Sequence, residues 1–79
     1  MITPEEVAEI CYEANRRLCY SMGNYSVPGW HEAGAATQQT WVGVVEHYAV
    51  HGFANLDPNF ATPQQFALAE AICKVLIPF

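Results

Sequence analysis

Two short segments of this chain carry the same helix-start signal. Thr3-Pro4-Glu5-Glu6 and Thr62-Pro63-Gln64-Gln65 each place Thr at an N-cap, Pro at the first helical position and an acid or amide three residues after the cap. Thr accepts a hydrogen bond from a free backbone N–H, Pro has no N–H to lose there, and Glu or Gln can reach back to the cap. Two helices are thereby pinned at their starts. The likeness reflects capping chemistry and not duplication.

The first helix is expected from Pro4 to about Met22. Val7, Ile10, Cys11, Ala14 and Leu18 recur at three- and four-residue steps and predict its apolar stripe, and Gly23-Asn24 ends it. A loop runs from Asn24 to about Ala33. A second helix starts near Ala35 to Thr37 and ends at about His51 before Gly52, with Trp41, Val44, Val45, Tyr48 and Ala49 as its stripe. Residues Phe53 to Ala61 carry the turn formers Asn55, Asp57, Pro58 and Asn59. The third helix, Pro63 to about Leu76, is apolar almost all round. Phe66, Leu68, Ala69, Ala71, Ile72, Val75 and Leu76 cannot all face one core. The expectation is an all-α fold, a three-helix small domain spanning residues 1–79, with a homo-oligomer formed through helix 63–76.

Composition supports that expectation. Only 14% of the 79 residues are charged and 52% are hydrophobic, against about 25% charged in average soluble proteins. A chain this short hides a modest fraction of its surface, so the surplus points to an interface. Net charge is −5, with Arg16, Arg17 and Lys74 the only strong cations. Nucleic acid needs many more phosphate contacts, so it is excluded as a partner. A small anionic ligand is not. Three cysteines without close pairs argue against a disulfide framework. No basic and apolar leader follows Met1, and no apolar run reaches the roughly 18 residues of a membrane span. A cytoplasmic protein with reduced thiols and no membrane partner is expected.

From Cys11 the chain reads C-Y-E-A-N-R-R-L-C-Y-S-M-G-N-Y-S-V-P-G-W-H-E-A, and from Thr40 T-W-V-G-V-V-E-H. This resembles the ryanodine-receptor (RyR) repeat domain in its small phage and bacterial form. The matching positions are Glu13, Ala14, Asn15, Arg16, Cys19, Gly23, Ser26, Pro28, Trp30, Ala33, Gly43, Val44 and His47, within a span of about residues 3–52. Asn24 stands where the family usually has Asp, and the apolar third helix replaces the family's second half. The resemblance implies a non-catalytic domain. It further implies recognition of a nucleotide-derived signal, such as an ADP-ribose relative made by antiphage defence, with a phage protein acting as a sponge.

The expected pocket lies between the Asn15–Tyr20 face, the Tyr25–Trp30 loop and the Thr40–His47 face. Its candidate ligand-binding residues are Asn15, Arg16, Tyr20, Tyr25, Ser26, Trp30, Thr40 and His47. Asn15 either ties down the loop or touches ligand. One of Arg16 and Arg17 pairs with Glu13 or Glu9, and the other is the clamp for phosphate or carboxylate. Tyr25 and Trp30 offer stacking faces for a base, or Trp30 plugs the core under the loop, as Trp41 is expected to do. His31, His47 and His51 lack a fourth partner at tight spacing, so no metal site is expected. Cys11 and Cys19 lie inside a helix, away from the N-terminus that would stabilise a thiolate. With no nucleophile motif or glycine-rich phosphate loop, neither enzyme activity nor a cofactor is expected. The rival reading is a protein-interaction module that docks a host or phage protein through the third helix.

Overall fold

The computed structural model describes residues 2–52 and 62–77. Three helices are seen: α1 (Pro4–Ser21), α2 (Ala35–His51) and α3 (Pro63–Leu76), with a short 3-10 turn at Trp30–Glu32. No strand occurs among the described residues. The turn formers expected in 53–61 lie outside them. Among the described residues, no helix is long and apolar enough to cross a membrane.

The two Thr-Pro starts form as the chemistry requires, with one difference. At α3, the Gln65 amide N–H reaches Thr62 Oγ1 at 3.3 Å, and the Thr62 N–H reaches Gln65 Oε1 at 3.1 Å, a complete capping box. At α1 only half the box closes. The Glu6 N–H donates to Thr3 Oγ1 at 3.2 Å, and the Glu6 carboxylate takes the Thr3 hydroxyl, also at 3.2 Å, in place of a backbone N–H. At the other end of α1, Gly23 takes φ +89° and its N–H donates to the Tyr20 carbonyl, while the Asn24 N–H donates to the Cys19 carbonyl at 2.9 Å. This is a Schellman cap, and it turns the chain sharply back along α1.

α1 is the common partner: α2 packs on one side of it and α3 on another. The core joins Val7, Ala8, Cys11 and Tyr12 of α1 with Trp30, with Trp41, Val45 and Tyr48 of α2, and with Ala69 and Cys73 of α3. α3 runs antiparallel to α1, because Cys73 hydrogen-bonds Cys11 while Gln65 Nε2 reaches Cys19 Sγ at 3.8 Å. The stripe expected on α1 is therefore rotated. Its buried face runs through Val7, Ala8, Cys11, Tyr12 and Asn15, and Ile10 is left 43% exposed. Tyr12 takes a core place that periodicity alone gives to an aliphatic residue, because its hydroxyl finds a carbonyl partner. Ala49 is likewise exposed, outside the buried face of α2. On α3 only Ala69 and Cys73 are buried, and Val75 is 79% exposed.

Candidate functional site

The loop between α1 and α2 makes no regular backbone ladder, so its polar groups need side-chain partners. One face of α1 supplies them. Tyr12 donates its hydroxyl to the Pro28 carbonyl at 2.6 Å, and Arg16 Nε donates to the Val27 carbonyl at 3.1 Å. The Trp30 N–H donates to Glu13 Oε1 at 2.9 Å. From α2, Gln38 Nε2 donates to the Trp30 carbonyl at 2.8 Å. Each such bond contributes a net 0.5–1.5 kcal/mol or so. The E-A-N-R segment is thus a clamp: Glu13 and Arg16, three residues apart on one helix face, grip the same loop from two points.

Arg16 is also the centre of a more exposed cluster. Its Nη1 donates to Glu13 Oε2 at 3.3 Å and its Nη2 to Tyr20 Oη at 3.1 Å. The guanidinium lies 5.1 Å from the centre of the Tyr20 ring, and Tyr20 meets Tyr25 edge-on at 5.4 Å. Tyr25 is 71% exposed. Beside it, Asn24 Oδ1 accepts from both the N–H and the hydroxyl of Ser26, which fixes the loop's entry. Arg16 has five N–H donors, and three are engaged here, so two remain to meet an anion. Desolvation pulls its proton affinity down, but the hydrogen bonds and charge of Glu13 and Tyr20 outweigh this and raise its pKa.

The eight expected ligand-binding residues therefore divide. Arg16, Tyr20 and Tyr25 touch one another, and Ser26 adjoins them through the Asn24 turn. Trp30 is buried, 5.5 Å from Tyr12 in an edge contact, so it is the plug beneath the loop and not an open stacking face. Asn15 is buried as well, with Oδ1 unpartnered, and no hydrogen bond among the described residues ties it to the loop. Thr40 is exposed and its hydroxyl bonds back to the Ala36 carbonyl at 2.9 Å. His47 is half-buried with an unpartnered Nε2, its ring 5.0 Å from His51. No hydrogen bond or ring contact among the described residues joins Thr40 or His47 to the Arg16 cluster. Of the two arginines, Arg16 makes the ion pair, and Arg17 makes none among the described residues.

Sequence reasoning passed over Tyr12, Glu13 and Gln38 as site residues. The Glu13–Arg16 spacing was a readable signal for an ion pair, but nothing local signals that Tyr12 reaches sixteen residues ahead to Pro28. Burial, then the Glu13 charge, push the Tyr12 phenol pKa up, which keeps the hydroxyl protonated as a donor. The Cys73 hydrogen bond, then burial, push the Cys11 thiol up, while the same bond draws the Cys73 thiol down against its own burial. Among the described residues, no group of three or more His, Cys, Asp or Glu side chains is placed to hold a metal ion. Compared with protein-family models, curated proteins and solved structures, the chain matches none.

Proposed function

We propose that this protein binds a small anionic, nucleotide-derived ligand without chemical turnover, sequestering it as a sponge does. The observation that carries the reading is the shared surface of Arg16, Tyr20 and Tyr25. Contrary to the expected split between a paired arginine and a clamping one, the paired Arg16 itself keeps two guanidinium donors for a phosphate, and the exposed Tyr25 ring is a face on which a base can stack. The likeness of residues 3–52 to the RyR repeat domain supports the same ligand class, as analogy. On this reading Glu13, Tyr12 and Gln38 do not touch ligand. They hold the loop that presents Tyr25 and Ser26.

Isothermal titration against ADP-ribose derivatives and cyclic nucleotides tests the proposal. Binding at micromolar concentration or tighter is expected for at least one of them, and none across the panel overturns it. Tyr25→Ala leaves every loop tether in place and is expected to weaken binding by about 1–3 kcal/mol, the benefit of one stacked base.

A further inference from the structure

Cys11 and Cys73 are far apart in the chain but stand at one level of the α1–α3 seam. Gln65 Nε2 reaches Cys19 Sγ at 3.8 Å and so fixes which residues of the two helices face each other. Eight residues back from Cys19 along α1 is Cys11, and eight residues on from Gln65 along α3 is Cys73. The two thiols meet there in an S–H···S hydrogen bond. They are 2% and 0% exposed and belong to one core. The only other buried residue described on α3 is Ala69, one turn away, and Ala8 is wholly buried one turn before Cys11.

Small residues at this level let the backbones come close. Helices about 8–10 Å apart, each with its Cα atoms about 2.3 Å from the axis, bring facing Cα atoms to roughly 4–5 Å. A disulfide spans about 4.4–6.8 Å between Cα atoms, so a covalent bond can replace this contact with both helices in place. Cys19 is no rival for either thiol. It lies about 12 Å of helical rise from Cys11 on the same helix, and the register sets it equally far from Cys73.

The geometry points to Cys11 and Cys73 as a redox site, which hydrogen peroxide converts into a disulfide that staples α3 to α1. Cys73 is the sulfur that attacks, because the shared hydrogen bond draws its thiol down against its own burial. Its thiolate displaces hydroxide from peroxide. An S–O bond forms, the O–O bond breaks, and Cys73 becomes a sulfenic acid, while the hydroxide takes up the proton that Cys73 gave away. The Cys11 sulfur then attacks the Cys73 sulfur. The S–S bond forms, the S–O bond breaks, and the departing hydroxide leaves with the Cys11 proton as water. Two thiols thus lose two electrons and two protons, and one peroxide becomes two waters. Because the second thiol is already in contact, it captures the sulfenic acid before another peroxide can add. The staple secures the seam whose buried residues are small. This inference does not rest on the ligand reading.

The full chain carrying Cys19→Ser tests it. Serine keeps an acceptor for Gln65, and only the inner two thiols remain. After peroxide and unfolding in urea, intact mass should show no maleimide added to these thiols. Both should take maleimide once dithiothreitol has reduced the chain. The oxidised chain should melt about 4 °C or more above the reduced one, since a bond that fits the fold restrains chiefly the unfolded chain. Maleimide on both thiols after peroxide overturns the proposal. So does a loss of thiols that dithiothreitol does not restore, or a disulfide that joins two chains. A smaller rise in melting point, or a fall, also overturns it, because the fold would then have to distort to close the bond.

Discussion

The two sides of α1 are joined to their neighbours by different chemistry. Toward the loop and α2, large rings and directional bonds do the joining. Tyr12 meets Trp30 and Trp41 edge-on at 5.5 and 6.0 Å, and side chains from α1 and α2 bond the loop backbone at Val27, Pro28 and Trp30. Toward α3, the fully buried residues are small, Cys11 with Cys73 and Ala69, flanked by the half-buried Ile72 and Leu76, and Gln65 adds an N–H···S contact. Small side chains let two helices approach closely, but they bury little area. The ring-filled side is finished within one chain. The thiol-lined side leaves Ile10 and Val75 facing outward.

Four measurements sharpen or break that contrast. Trp30→Ala removes the plug and should cost about 3–5 kcal/mol in urea unfolding, a large fraction of the stability of so small a domain. A cost near that of a surface change would mean the loop side is not the stronger seam. Glu13→Ala strands the Trp30 N–H and should cost about 1–3 kcal/mol, while Glu13→Gln, which keeps an acceptor, should cost less. Equal losses would assign the effect to the Arg16 ion pair instead. Cys73→Ala, on the α3 side, should cost only about 1 kcal/mol. The smallest effect is one of pH. The folded chain holds the Tyr12 proton more tightly than the unfolded chain does. Its contribution is therefore complete below the ordinary phenol value of 10.0 and is lost as pH rises past it. Thermal melts above that pH should show the decline, and Tyr12→Phe should flatten it.

The sequence was most legible where structure is decided within a few residues. Thr3, Thr62, Gly23 and Gly52 act on their own helix ends, so all three helices could be bounded to within a residue or two. The excess of apolar surface on α3 was legible for a similar reason, since a helix has a fixed circumference. Legibility failed where a partner comes from far along the chain. Ile10 looks like core by spacing, yet Tyr12 takes the core position because Pro28 offers it a carbonyl. Trp30 was readable either as a platform or as a plug, and only the fold around Tyr12 decides for the plug. Arg16, Tyr20 and Tyr25 stand close because the Schellman cap at Gly23 folds the loop back over α1.

The three thiols also provide a clock. Cys11 and Cys73 are buried and Cys19 half-buried, all along one helix–helix seam. In the native state a thiol reagent can reach the inner two only when α3 swings away, so their labelling rate reports how often that seam opens. Cys19 should label first, with the inner pair following together. A ligand held at the Arg16 side that slowed the inner pair would then reveal communication across α1 without any engineered probe.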